Sequence, residues 1–372
     1  MASATYFLPD TYMQYSQEDT GNVGRADNSR LRPPFASPAF QHATAGDILR
    51  IGTVCSSMGH YLGIDAGGTR TSCVLGDDNS VLARTMAGSI KIMRVSEAEA
   101  ARNLDELLRG ASTQAGVPLE SIACTCVGLA GITVPRVEQW VRQAIGARVS
   151  GKLLVFGDED IALDGAFSGG AGVLVIAGTG SHVVGRAVDG SIFHLGGWGP
   201  VLADEGSGHW IGQQAVRALL RARDHGRETS LFAAVLEQWR ATTLAGLVDI
   251  GNRVPGPDFS QLAPVVARCA EEGDAVAAEV LENAGRELGA MAAFALHKVQ
   301  APANKNVSVQ KDAPALRLAL TGGVLGHIAR VREALVATVR RQFPETVVLP
   351  GTVDAALGAL WRARHAEKFA PQ

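Results

Sequence analysis

The 372-residue chain has few cysteines, little net charge and no long apolar run, and each shortage excludes a class of protein. Its five cysteines are scattered and form no C-x-x-C pair, so we expect a reducing cytoplasm and neither a disulfide framework nor a cysteine metal site. The formal net charge is only −3 at pH 7, whereas a nucleic-acid-binding domain carries a clustered basic excess. No apolar run reaches the ~18 residues of a membrane span. We therefore expect a soluble, cytoplasmic protein that binds neither nucleic acid nor membrane.

Glycine, by contrast, is abundant: 43 of the 372 residues are glycine, well above the usual share of about 7%. It follows no Gly-X-Y period, so its abundance indicates tight turns and loops in which the backbone approaches a ligand. The chain lacks the G-x-x-x-x-G-K-[ST] phosphate loop, the protein-kinase loop set and the H-E-x-x-H zinc motif. Its length predicts two domains, at ~100–200 residues per domain.

Residues 1–57 differ in composition from the rest of the chain. They are rich in Ser, Pro, Ala, Gln, Asn and Asp, and they contain neither a sustained period nor an apolar core of signal-peptide type. We interpret this segment as a disordered tail without a DNA-binding module, with Met58 as an alternative translation start.

From His60 onward the pattern is α/β. A strand, a glycine turn and a second strand begin near residue 60 and again near residue 172, which predicts a duplicated unit. We place one half at 58–168, closed by a helix at 354–366, and the other half at 169–353. Two similar halves that face each other leave a cleft, and ligand sites usually form in such clefts.

Local signals predict several helix boundaries. Ser96 and Glu99 form a capping box, which predicts a helix through about Ala115. A single helix is predicted over 325–341, and another over 158–167, directly after a short strand.

The first candidate site is the glycine turn that follows the first strand. Gly67 and Gly68 leave successive backbone N–H groups bare, and Thr69 and Arg70 follow them. Such a turn forms an anion-binding concavity that suits phosphate. Asp65 would repel a phosphate there unless a cation lay between them, so the arrangement implies Mg²⁺ with Asp65 as its ligand. The alternative is a plain glycine-rich hairpin with a turn-forming aspartate.

A second turn of this kind, Gly178-Thr179-Gly180-Ser181, lies between two apolar strands. Alone it is compatible with an ordinary hairpin. Two such turns, one at the start of each half, could hold one polyphosphate from both sides. A third glycine segment, Gly322-Gly323, joins a strand to a helix, where a flat ring or a phosphate can lie close to the backbone.

Two segments carry the remaining candidate chemistry. Asp158 lies between a strand and a helix, where it could cap the helix or act as a general base; Asp160 and Asp164, further along, are expected to face solvent. Gly196–Gly199 surround Trp198, which indicates an indole that flanks a ligand, and Asp204 could bind the hydroxyl groups of that ligand. The alternative is that Asp204 or Glu205 caps the following helix.

With these segments in this order, the chain resembles the actin/hexokinase/Hsp70 ATPase superfamily. Within it, the chain is most similar to N-acetylglucosamine kinases and the BadF/BadG/BcrA/BcrD-type ATPases. The likeness covers about Tyr61 to Arg364, and its most specific parts are the Asp65 hairpin and the segments 196–199 and 204–207. The resemblance implies an α/β fold of two ribonuclease-H-like, actin-like ATPase domains that close over ATP and a sugar in a central cleft.

The resemblance also assigns roles to residues. It implies that Asp158 is the catalytic carboxylate and that Asp65 binds the metal. Nucleotide binding is assigned to Asp65, Gly67, Gly68, Thr69, Arg70, Gly178, Thr179, Gly180, Ser181, Gly322 and Gly323. Sugar binding is assigned to Thr179, His182, Gly197, Trp198 and Asp204. His182 stands where N-acetylglucosamine kinases have an asparagine, and a second asparagine is replaced within 88–91, which leaves the amino sugar open.

We therefore expect an ATP- and Mg²⁺-dependent kinase that converts N-acetylglucosamine to its 6-phosphate. Kinases for glucosamine or N-acetylmuramic acid are alternatives, and a homodimer is left open. A second class of function is a regulatory ATPase that changes the shape of a protein partner. The dehydratase-activating branch of that class binds an iron–sulfur cluster, and no cysteine here lies in a matching glycine-flanked loop.

Overall fold

The computed structural model describes residues 59–132, 134–300 and 315–369. The predicted tail at 1–57 and the alternative start at Met58 lie outside the described residues. None of the described helices is both long and apolar enough to cross a lipid bilayer.

The first of two sheets is built from five strands in the order β3-β2-β1-β4-β5. The strands are β1 (His60–Ala66), β2 (Arg70–Gly76), β3 (Val81–Gly88), β4 (Ile122–Leu129) and β5 (Lys152–Phe156). β1, β2 and β3 form an antiparallel meander, and β4 and β5 continue the sheet parallel to β1.

The second sheet repeats this topology, in the order β10-β9-β6-β7-β8. Its strands are β6 (Gly172–Ala177), β7 (Ser181–Arg186), β8 (Ile192–Gly196), β9 (Arg317–Thr321) and β10 (Val347–Val348). β6, β7 and β8 form the antiparallel meander, and β9 and β10 run parallel to β6. This is the ribonuclease-H-like arrangement occurring twice, so the predicted duplication and fold class are confirmed.

Eleven α-helices occur in the described residues. They are α1 (Glu97–Ala115), α2 (Pro135–Gly146), α3 (Asp158–Phe167), α4 (Gly208–Asp224), α5 (Leu231–Trp239), α6 (Leu244–Gly251), α7 (Ala263–Glu271), α8 (Ala275–Gln300), α9 (Gly323–His327), α10 (Ala329–Gln342) and α11 (Ala355–Arg364). The helix start predicted at Ser96 is confirmed, because Ser96 is the N-cap of α1 and its hydroxyl accepts a hydrogen bond from the Glu99 N–H at 3.2 Å. Gly116 then ends α1 in the left-handed region, at φ 67°.

The single helix predicted over 325–341 is wrong, because the segment forms two helices, α9 and α10. Ile328 between them is extended, with φ −108° and ψ 90°. Its side chain is buried in the same core as Leu325 and Val331. The apolar positions of both helices thus face one core, and their spacing in the sequence conceals the break.

Two helices connect the sheets. α3 leads from β5 to β6 and packs against β6 and β7, whereas α11 follows β10 and packs on β1 and β4. They cross closely, because a Cβ on Gly358 would overlap with the backbone nitrogen of Gly165. Gly63 allows the same approach of α11 to β1, since a Cβ there would overlap with the Leu360 backbone. The domain boundaries at 168 and 353 stay predictions.

Candidate active site

Asp65 and Asp158 lie at the same edge of the first sheet. The parallel register places Asp65 beside Gly128 of β4, and Gly128 beside Phe156 of β5. Asp158 comes two residues after Phe156, at the start of α3. The carboxyl ends of parallel strands are where α/β sheets bind their ligands.

The charges of these two residues interact. Burial raises the pKa of Asp65 to about 6, and the nearby Asp158 carboxylate raises the same pKa, while Lys91 and Arg70 act against the rise. Two acidic groups therefore share a partly buried site, and a divalent cation would relieve their repulsion. Lys91, in the loop after β3, was not selected from the sequence, because a lone lysine there gives no sign of what it faces.

Asp158 is not the N-cap of α3, so that alternative is wrong. Gly157 occupies the cap position, and Asp158 is the first helical residue. Glu159, which we did not predict as a site residue, lies beside it. Burial raises the pKa of Glu159 to about 7, and its hydrogen bond with Asp158 adds to the rise.

The expectation that Asp164 faces solvent is also wrong. Its side chain is only 1% exposed, and the guanidinium groups of Arg186 and Arg362 lie against it. Asp160 is partly buried, 3.6 Å from Arg362. Both arginines are distant in the sequence, so the local pattern of α3 could not reveal them.

The first predicted phosphate turn is anchored to the loop that follows β3. The Ser89 hydroxyl donates a hydrogen bond to the Gly67 carbonyl at 3.1 Å, and the Thr71 hydroxyl accepts one from the Ile90 N–H at 3.2 Å. A Cβ on Gly67 would come within 2.6 Å of the Arg70 carbonyl oxygen, so glycine is required there. Gly68, Thr69 and Arg70 are exposed, which leaves this part of the turn open to a ligand.

The second predicted phosphate turn is held by the start of α4. The Gly208 N–H donates to the Gly178 carbonyl at 2.7 Å, and the His209 N–H donates to the Thr179 carbonyl at 3.2 Å. The buried Ser181 hydroxyl donates to the Glu205 carbonyl at 2.8 Å. Ser207 is the N-cap of α4, so the alternative that Asp204 or Glu205 caps this helix is wrong.

Gly322 and Gly323 lie beside this second turn. Gly322 has φ 98°, and a Cβ there would overlap with the Ala177 carbonyl. A Cβ on Gly178 would lie 4.0 Å from the Gly323 backbone nitrogen. The two glycine segments that the sequence assigned to one nucleotide are therefore neighbours at one edge of the second sheet.

The loop around Trp198 is exposed, and Asp204 holds it. Gly197 and Gly199 have φ 73° and φ 93°, and the indole of Trp198 is 75% exposed. Asp204 is buried and left-handed, with φ 65°. One of its carboxylate oxygens accepts the Gly199 N–H at 3.2 Å, and the other faces Gly180. Asp204 thus joins the Trp198 loop to the second phosphate turn.

His182 of β7 lies beside His194 and is affected by the charge of Asp158. Its Nε2 lies 3.1 Å from Nδ1 of His194, and its ring packs on Gly197. Burial lowers the pKa of His182, and the His194 charge lowers it further, while Asp158 acts in the opposite direction. The Asp158 carboxylate therefore acts on both Asp65 of the first sheet and His182 of the second.

Asp65 and Asp158 suit Mg²⁺ better than they suit a metal that is bound by protein side chains alone. Among the described ranges, no three His, Cys, Asp or Glu side chains are grouped to hold a metal. Mg²⁺ prefers oxygen ligands, and it commonly binds through one or two carboxylates together with substrate phosphates and water. Asp65 supplies such an oxygen beside an open phosphate turn.

Known proteins are similar to this chain over most of its length. The chain matches the model of the BadF/BadG/BcrA/BcrD ATPase family over residues 62–363. It is 30% identical over 312 residues to a Clostridium acetobutylicum protein named N-acetylmuramic acid/N-acetylglucosamine kinase. The aligned region covers 82% of this chain and 99% of that protein. It is 27% identical over 325 residues to the N-acetyl-D-glucosamine kinase of Dictyostelium discoideum, over 83% of this chain and 98% of the relative.

A solved structure is similar over the same region. It is that of a candidate N-acetylglucosamine kinase from Chromobacterium violaceum, with a TM-score of 0.59 and 28% identity, over 82% of this chain and 98% of that chain. The family model covers most of the chain, and the relatives are covered almost completely. The family expected from the sequence is confirmed: the chain belongs to the BadF/BadG/BcrA/BcrD ATPase family.

Proposed function

We propose that this protein is an ATP-dependent amino-sugar kinase that transfers the γ-phosphoryl group of ATP to N-acetylglucosamine, at its 6-hydroxyl. The observation that carries the proposal is the position of Asp158. Its charge affects the pKa of Asp65 in the first sheet and the pKa of His182 in the second. Asp65 precedes the first predicted phosphate turn, and His182 directly follows the second. Phosphoryl transfer requires mainly positioning and charge neutralisation, and this arrangement offers both.

In the proposed reaction, Asp158 accepts the proton of the sugar hydroxyl as its oxygen attacks the γ-phosphorus. The bond from that phosphorus to the β-phosphate oxygen breaks, and ADP leaves. The N–H groups of Gly67, Gly68, Thr179 and Gly180 hold the phosphates, and Gly322 and Gly323 lie against the adenosine. Mg²⁺, bound through Asp65, would neutralise part of the phosphate charge.

The sugar is expected to lie between the Trp198 loop and β7. Trp198 offers an exposed apolar face, and Thr179, His182 and Gly197 supply polar and backbone groups beside it. The names of the relatives support an N-acetylated sugar. N-acetylmuramic acid and glucosamine are the alternatives that a substrate panel separates.

The test measures ATP consumption with Mg²⁺ across N-acetylglucosamine, N-acetylmuramic acid, glucosamine and glucose. We expect turnover that depends on the acceptor and is fastest with N-acetylglucosamine. ATP turnover that no sugar accelerates would contradict the proposal and favour a regulatory ATPase, because such a protein needs no small-molecule acceptor.

Replacing the proposed base tests the chemistry. General-base catalysis contributes ~10²–10⁴-fold, so Asp158→Asn should lower kcat by that factor while the sugar KM changes little. Asp249→Asn is the matched control, because Asp249 is an exposed helical aspartate paired only with Arg253 among the described residues. A kcat for Asp158→Asn within threefold of the control value would remove Asp158 from the reaction.

A further inference from the structure

Three charged side chains meet in the protein interior, between the two sheets. Asp164 of α3, Arg186 of β7 and Arg362 of α11 are 1%, 5% and 1% exposed. Arg362 also lies over the ring of Phe156, 4.0 Å from its centroid. Burying three charges is costly unless their partners are well placed. This charged cluster, Asp164, Arg186 and Arg362, has no part in the phosphoryl transfer described above.

The two contacts of Asp164 differ in geometry. Arg362 Nε donates a hydrogen bond to one carboxylate oxygen at 2.5 Å. Arg186 Nη1 lies 2.7 Å from the other oxygen, Oδ1, yet within the described part of the chain Oδ1 has no partner with hydrogen-bond geometry. The first contact is directional and ties α3 to α11. The second is a charge contact without directional restraint, and it joins α3 to the second sheet.

A contact without directional restraint tolerates rotation. If the second sheet turns relative to α3 when the cleft closes, an ion pair of this kind keeps most of its attraction, whereas an aligned hydrogen bond would break. The backbone beside it also changes direction, because Ser168 and Gly169, which follow α3, are left-handed at φ 49° and φ 78°. Arg186 additionally donates to the Gly170 carbonyl at 3.4 Å in this connection.

The cluster lies on the helix that carries the proposed base. Asp164 is six residues after Asp158, so at ~1.5 Å per residue it lies about 9 Å further along the same helix. A small tilt of α3 at Asp164 would therefore move the Asp158 carboxylate. A displacement of about 1 Å from a change remote from the chemistry can cost ~10²-fold in rate.

We propose that Asp164, Arg186 and Arg362 are positioning residues that hold α3, and hence Asp158, in register with the second sheet as the cleft closes. This inference rests on the proposed function, because it concerns the placement of the proposed base. It assigns the three residues no contact with ATP or sugar.

The test compares variants that keep or remove the contact across the sheets. Arg186→Met/Asp164→Asn removes one positive and one negative charge together, so that no unpaired charge is added to the interior, and Arg362 keeps Asp160. Arg186→Lys retains the charge without the guanidinium fork. Arg142→Met is the matched control, since Arg142 forms a 2.7 Å ion pair with Glu138 on the surface.

For the double variant we expect kcat to fall ~10–100-fold, with the KM values for sugar and ATP within threefold of the wild type. Arg186→Lys should recover kcat to within about fivefold of the wild type, because a charge contact needs no fixed direction. A merely structural role would lower the melting temperature and leave the kcat of the folded fraction unchanged. That result, or equal losses in Arg186→Lys and the double variant, would overturn the proposal.

The outcomes also separate this inference from the proposed function. A wild-type protein that phosphorylates no amino sugar refutes the kinase and not the cluster, because acceptor-independent ATP hydrolysis by the same variants then tests the placement of Asp158. If the double variant does not fold, Arg362→Lys decides, because Arg362 makes the directional hydrogen bond to Asp164: a wild-type kcat at lower stability would show that the cluster only supports the fold.

Discussion

Replacing Asp65 by asparagine should make the unliganded protein more stable and, at the same time, inactive. Asp65 is partly buried and faces Asp158, so its negative charge is unfavourable in the folded state. Asparagine has nearly the shape of the protonated carboxyl group and carries no charge. It removes the repulsion, together with the negative charge through which Asp65 is proposed to bind Mg²⁺.

The magnitude follows from the pKa of Asp65. Its pKa rises from the ordinary 3.8 to about 6 in the folded chain, and at ~1.36 kcal/mol for each pH unit the difference amounts to about 3 kcal/mol. Between pH 3.8 and about 6 the folded state binds more protons than the unfolded state, so the free energy of unfolding falls as pH rises. The cost of the charge is absent below pH 3.8 and complete above about pH 6.

The assay is urea unfolding of both proteins at pH 4 and pH 7.5, without nucleotide or metal. Asp65→Asn should exceed the wild type by up to about 3 kcal/mol at pH 7.5 and match it at pH 4. Asp189→Asn is the control of opposite sign, because hydrogen bonds from Ser191 lower the pKa of Asp189, so this variant should gain nothing at pH 7.5. An Asp65→Asn protein less stable than the wild type at pH 7.5 would refute the reasoning.

Further variants test the Trp198 loop and the Gly322-Gly323 segment. Trp198→Ala removes an exposed ring, so we expect the sugar KM to rise about tenfold, equivalent to ~1.4 kcal/mol, with little change in melting temperature; an unchanged sugar KM would contradict the assignment. Gly322→Ala should lower stability by ~1–3 kcal/mol, because its Cβ would strike the Ala177 carbonyl at a left-handed position. Gly323→Ala, whose Cβ has open space, should fold normally and raise only the KM for ATP. Urea unfolding and ATP-dependent kinetics separate the two glycines, and equal stability of both variants would refute the difference.

Features set by residues close together in the sequence could be predicted. The Ser96 capping box depends on a hydroxyl and a backbone N–H three residues apart, and the structure has that bond. The glycine turns near 67 and 178 were recognised because glycine between two apolar strands is a local signal, although Ser89 and Gly208 hold these turns from a distance. The duplication followed from the recurrence of one strand–turn–strand pattern, and the two sheets have the same strand order.

Features that depend on distant residues could not be predicted. Asp164 has the pattern of a solvent-facing helical aspartate, and only the arginines of β7 and α11 explain its burial. Capping of α3 was one of two roles considered for Asp158, but Gly157 takes the cap position and Asp158 is the first helical residue. The sequence did not indicate Lys91 or Glu159 as site residues. Lys91 acts on Asp65 of a different strand, and the pKa of Glu159 depends on its burial in the folded protein. The roles assigned to the site residues stay predictions until the variants are measured.

The packing of α11 on β1 has a consequence for biosynthesis. The first of the described strands to leave the ribosome, β1, is covered at Gly63 by α11, the last of the described α-helices. The nascent chain therefore carries an uncovered apolar sheet face throughout synthesis of the second half, although domains commonly fold in order from the N-terminus. A chain truncated before Asp354 should therefore lose its first half as soluble protein, because α11 covers β1 and β4.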